Sequence, residues 1–105
     1  MRFEGRIHKK GRHWAIEVPV LGVVTQGRTR SNAYLMVADA IEALVNKAGF
    51  SVEVFPGDDG YFEVGSSDLA PLTALKLKRE IDVQYERAYA NVDQPLGKDF
   101  EGRGD

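Results

Sequence analysis

Apolar side chains recur at every second position through the first 26 residues, and at intervals of three and four from Thr29 onward, so the chain cannot be built from one type of element. In Phe3-Glu4-Gly5-Arg6-Ile7 and Trp14-Ala15-Ile16-Glu17-Val18 the alternation has the period of a strand with one buried face. Lys9-Lys10-Gly11-Arg12 between them has the composition of a hairpin loop, which makes the pair antiparallel. Pro19 has no N–H to give to a ladder, so it ends the second strand or sits at a bulge. Val20 to Thr25 then reads as a third strand, closed by Gly27.

After Thr29 the apolar residues Ala33, Met36, Val37, Ala40, Ile41, Leu44 and Val45 share one stripe of a helix. Thr29 or Ser31 suits its start, and Gly49 the left-handed position past its end. Alternation returns at Phe50, Val52 and Val54. The dense turn signal Pro56-Gly57-Asp58-Asp59-Gly60 follows, and Tyr61 to Val64 makes a short fifth strand. Ser66-Ser67-Asp68 offers caps for a second helical pattern. Its stripe shifts phase between Leu75 and Leu77, so one long helix or two with a kink both fit.

The predicted class is therefore α+β. The periods place strands at about 2–8, 12–18, 20–26, 50–56 and 60–65, a helix at about 30–47 packed on the sheet, and a C-terminal helix at about 68–91. Residues 1–67 would form the main domain, 68–92 a helix available for oligomerisation, and 93–105, with glycines among charges and no period, a flexible tail.

At 105 residues the chain has room for one core. It has no cysteine, which excludes disulfides, cysteine metal sites and a thiol nucleophile. His8 and His13 lie among Lys9, Lys10 and Arg12, surroundings that repel a cation, so no metal or other cofactor is expected. A charged N-terminus and the lack of a long apolar run predict a cytoplasmic protein with no membrane contact. The net charge of −2 conceals a split. Residues 1–30 hold seven basic and two acidic residues, a net of +5, and the rest hold seven and fourteen, a net of −7.

No catalytic constellation emerges, and the expectation is a protein that is not an enzyme. None of the serines sits in a Gly-x-Ser-x-Gly elbow, and Ser66-Ser67-Asp68 reads as a cap. Asp58 and Asp59 are turn formers, and the glycines form no phosphate-cradling loop with Lys-Ser or Lys-Thr.

One run is specific. From Trp14 to Ala33 the chain couples an aromatic-led strand with a Val18-Pro19 step, a short strand ending in Thr25-Gln26-Gly27, and Thr29 before an alanine-rich helix. This resembles the HicB antitoxins, over residues 1 to about 80. In place of the family's acidic pair after the cap stand Arg30 and Ser31. The resemblance implies a partial ribonuclease-H-like fold: a three-stranded antiparallel sheet crossed by one helix, with a further strand alongside. It does not bring nuclease chemistry, which needs clustered carboxylates holding two metal ions. Many such proteins add a helix-turn-helix or ribbon-helix-helix; here Glu80 to Asn91 continues as helix without a breaker.

The function implied is that of an antitoxin, which neutralises a small basic HicA-type mRNA-cleaving toxin by covering its RNA-binding face and catalytic histidine. Candidate toxin contacts are the acids Asp39, Glu42, Asp58, Asp59, Glu63 and Asp68. Leu77, Ile81, Tyr85 and Tyr89, in excess of what a small core needs, are candidates for a homodimer or higher homo-oligomer. A second expectation is a nucleic-acid-binding regulator of its own operon, with Arg2, Arg6, Lys9, Lys10, Arg12, Arg28 and Arg30 on phosphates. A third is an orphan oligomeric HicB-like adaptor.

Overall fold

The computed structural model describes residues 1–92, with side chains through Ala88; the segment read as a tail lies outside the described residues. The elements run β1 (Phe3–Lys10), β2 (His13–Val18), β3 (Val23–Gly27), α1 (Arg30–Val45), β4 (Glu53–Pro56), β5 (Tyr61–Gly65) and α2 (Ala70–Val92). They give an α+β architecture, one antiparallel sheet in the order β3-β2-β1-β5-β4 with α1 packed across one face. The meander β1-β2-β3 is local in sequence, whereas β5 returns from about sixty residues away to pair with β1, placing Phe3 opposite Val64 and Gly5 opposite Phe62.

The alternation of the sequence becomes the two faces of this sheet. Phe3, Ile7, Ile16, Val18, Val23, Phe62 and Val64 point to the helix layer and are buried with Ala33, Val37 and Ile41 of α1. Leu72 from the start of α2 closes the same core, and the Tyr34 ring meets Phe62 edge-on at 5.5 Å. Glu4, Arg6, His8, Val24, Tyr61 and Glu63 point the other way and are exposed, because no described element covers that face.

Several boundaries differ from the sequence reading. Val20 to Gly22 is no strand. Pro19–Leu21 forms a 3-10 turn, with Pro19 at its first position and Gly22, at φ 71°, donating its N–H to the Pro19 carbonyl at 3.0 Å. This turn drives Leu21 into the core and delays β3 to Val23. The β1-β2 hairpin is longer than expected, since Lys9 pairs with Trp14 and Lys10 with His13, leaving Gly11 and Arg12 as the turn. Helix α1 stops at Val45 because Asn46 (φ 50°) takes the left-handed cap and donates its N–H to the Glu42 carbonyl; Gly49 is left-handed as expected (φ 80°) but lies three residues further on. Phe50 and Val52 precede β4, since the Val52 N–H goes to the Glu42 carboxylate at 2.8 Å and not to a strand. The phase slip in the last pattern is not a kink: α2 is one helix.

The junction from β3 to α1 is tight. Thr29 caps α1 by accepting the Asn32 N–H at 3.0 Å, and the Asn32 side chain accepts the Arg28 N–H at 3.0 Å. A Cβ on Gly27 would lie 2.5 Å from the Ala33 nitrogen, so this glycine serves close approach of helix to strand and not a left-handed turn. Gly27→Ala is therefore expected to lower stability by about 1–3 kcal/mol through overpacking. Urea denaturation monitored by circular dichroism measures it; an unchanged midpoint would contradict the packing described.

Candidate functional site

The acidic residues singled out in the sequence do not form one surface. Asp39 lies exposed on α1, Asp58 and Asp59 are in the β4-β5 turn, and Glu63 stands on the uncovered face of the sheet, the side opposite α1. Three of the six have partners within the fold. Glu42 binds the Val52 N–H, Glu63 pairs with Arg2 at 3.2 Å, and Asp68 pairs with Lys47 at 2.8 Å. Asp59, at φ 56°, shapes the turn in which the Tyr61 N–H bonds the Asp58 carbonyl.

The basic residues divide into two groups. Arg2 and Arg6 lie on the uncovered face and are engaged. Arg2 bonds Glu63 and stacks on Phe55 with its guanidinium carbon 3.5 Å from the ring centre, while Arg6 lies 3.7 Å from Glu17. Lys9, Lys10, Arg12, Arg28 and Arg30 gather at the end of the molecule where the β1-β2 turn meets the β3-α1 junction.

The uncovered sheet face carries a feature that sequence reasoning missed. Pairing of β1 with β5 sets Glu4 directly opposite Glu63, two like charges in one cross-strand pair. Arg2 answers Glu63; Glu4 has no ion pair among the described residues. Around these carboxylates lie Tyr61, Val20 and half-buried Phe55, while Val24, 74% exposed, stands farther across the same face on β3. Depressions of about 250 and 360 Å³ flank Glu4 and share Tyr61 as a wall. The alternation in Phe3-Glu4-Gly5 and Phe62-Glu63-Val64 already assigns both glutamates to the polar face, but their juxtaposition depends on a long-range register.

Helix α2 presents two stripes. Leu72, Leu75 and Val83 turn to the body, with Leu69 just before the helix, and Leu77, Ile81 and Tyr85 occupy the opposite side, 53%, 65% and 71% exposed. The Tyr89 side chain lies outside the described residues.

Chemistry is sparse. No group of three or more His, Asp or Glu is placed to hold a metal among the described residues, and no described helix is long and apolar enough to cross a membrane. The Asp68 carboxyl departs from its ordinary pKa. The hydrogen bond from the Lys47 ammonium holds its carboxyl below the ordinary 3.8; desolvation works against this, and the ammonium charge and the Ala70 N–H add to it. Ser66, whose hydroxyl accepts the Asp68 N–H and donates to the Ser51 carbonyl, fixes this entry to α2.

Comparison of the chain with protein-family models, with curated proteins and with solved structures finds no match.

Because the folded pKa of Asp68 is depressed, its contribution to stability is present above the unfolded value and is lost as pH falls through the folded one. Asp68→Asn is expected to lower the thermal midpoint at neutral pH, with the gap to wild type closing below about pH 4. Melts followed across that range test it; a gap that stays constant down to low pH would remove the Lys47 pair as its cause.

Proposed function

We propose that this chain is an antitoxin-like binding protein that neutralises a small basic RNA-cleaving protein of the HicA type by occluding its RNA-binding face. The observation that carries the reading is the uncovered sheet face with Glu4 opposite Glu63. Like charges facing each other across a ladder cost stability, and a cation supplied by a partner relieves that cost. Tyr61, Val20 and Phe55 add apolar area around the carboxylates, the mixture of anchor and polar group that protein interfaces use. This surface, with Glu17 and Glu53 at its flanks, takes the place of the dispersed set Asp39, Glu42, Asp58, Asp59 and Asp68 as the toxin-docking region. The Trp14 to Ala33 run that resembles HicB antitoxins forms one packed unit, in which the Val18-Pro19 step is a 3-10 turn and Gly27 seats the helix. Occlusion requires no catalytic group, in keeping with the chemistry of the face.

The same reading includes a homodimer through the outer stripe of α2. In an antiparallel pair crossing near Arg79 and Glu80, Leu77 of each copy meets Ile81 of the other, and Tyr85 faces the small Ala74. Lys78 and Asp82 lie on one flank of the stripe, so the same arrangement sets each Lys78 against the other copy's Asp82.

Glu4→Lys separates binding from folding. It is expected to leave stability unchanged or raise it, since the introduced ammonium would face the Glu63 carboxylate, and to weaken by tenfold or more the complex with a small basic RNA-cleaving protein of the HicA type. Co-purification and an RNA-cleavage assay measure this; absence of any complex between the wild-type pair sinks the reading. For the dimer, Ile81→Glu is expected to halve the mass seen in light scattering. A wild-type protein that is monomeric at high micromolar concentration would reject it.

A further inference from the structure

We propose that the end of the domain where the β1-β2 turn meets the β3-α1 junction binds the phosphate backbone of a nucleic acid. Register brings the parts together. Lys9 is opposite Trp14 across β1-β2, Trp14 is opposite Gly27 across β2-β3, and Lys10 is opposite His13. Adjacent strands are spaced by about 5 Å, so Lys9, Arg12 and Arg28 fall within a strip crossing three strand ends. Arg30 opens α1 beside them with its guanidinium carbon 5.0 Å from the centre of the half-buried Trp14 ring.

None of Lys9, Lys10, Arg12, Arg28 and Arg30 makes an ion pair among the described residues, in contrast to Arg2 and Arg6 on the same sheet. No acidic residue stands in the first turn of α1 to offset them. Five exposed cations collected without a counter-charge repel one another, and a ligand carrying regularly spaced negative charges relieves that repulsion. A nucleic acid fits better than an acidic protein surface because its phosphates follow one another at regular spacing along one chain, as the cations do along a strip that crosses three strand ends. The strip lies at the end of the sheet, apart from the Glu4 and Glu63 face, so it stands or falls independently of the proposed docking to a basic protein.

The test is fluorescence anisotropy of the full chain with labelled single-stranded RNA, single-stranded DNA and duplex DNA. Emission of Trp14, the only tryptophan of the chain, provides a second readout at the site itself. At least one of the three is expected to bind and to perturb Trp14 emission, with affinity falling steeply between about 50 and about 200 mM salt. Five phosphate contacts on a single strand predict a slope of log affinity against log salt of about −3.5, falling to about −1.4 in the triple variant Lys9→Gln, Arg12→Gln, Arg28→Gln. The variant changes exposed residues only, and its thermal midpoint serves as the folding control. The inference is overturned if no nucleic acid binds at low salt, or if the variant binds with the wild-type slope. It is also overturned if a polyglutamate peptide competes as well as the best nucleic acid, a result that would assign the strip to an acidic protein.

Discussion

The approach of α1 to β3 at Gly27 sets the geometry of everything else. With no side chain at that position, the backbone of Ala33 comes down onto the strand, and Val37 and Ile41 are buried in one core with Ile16, Val18 and Phe62. Strand alternation leaves each residue only two possible faces, so fixing the helix on one side of the sheet makes the other side the free one. Helix α2 begins at the opposite end of the body, anchored by Leu72 and by the Lys47-Asp68 pair, and among its described side chains beyond Arg79 only Val83 is half-buried.

Division of charge follows from the same packing. Behind the near-neutral total of the chain, the described residues hold a cationic strip without ion pairs at the β1-β2 end and carboxylates spread over several faces. On the uncovered sheet face, ion pairs between half-exposed groups contribute little to stability, about 0–1 kcal/mol each. Their importance lies in what they leave over: Arg2 is committed to Glu63 and Phe55, Arg6 to Glu17, and Glu4 remains unanswered among the described residues. A basic partner on that face and a polyanion at the strip would each meet surface charge of the opposite sign, which speeds encounter and selects orientation.

Much of the fold was legible because local periodicity carries it. Alternation marked β1, β2 and β5, the three-and-four spacing marked α1, and Thr29 marked its cap. The misread segments are those where one backbone conformation competes with another. Val20 and Leu21 are apolar enough for a strand, yet Pro19 and Gly22 close a 3-10 turn. Asn46 caps α1 ahead of Gly49, which is also left-handed, because its side chain tolerates that conformation and it comes first. In α2 the apparent phase slip was two stripes on opposite sides of one helix, a distinction that periodicity cannot make without knowing which side meets the body.

Candidate sites were less legible. Composition along the chain revealed a basic beginning, and the hairpin reading placed Lys9, Lys10 and Arg12 together, because neighbours in sequence stay neighbours in a hairpin. Grouping the acids by sequence failed, since Glu42 and Asp68 had hydrogen bonds to make with Val52 and Lys47, and Glu63 faced away from Asp39. By itself, then, the sequence determined the elements, the inward and outward residues of each strand, and the absence of thiol chemistry, all properties of short-range pattern or composition. Only the tertiary structure decided that Glu4 meets Glu63, that Arg30 covers Trp14, and that one sheet face is left open. Those depend on strand order and register between segments up to about sixty residues apart, which the packing of α1 and the return of β5 impose and no local period encodes.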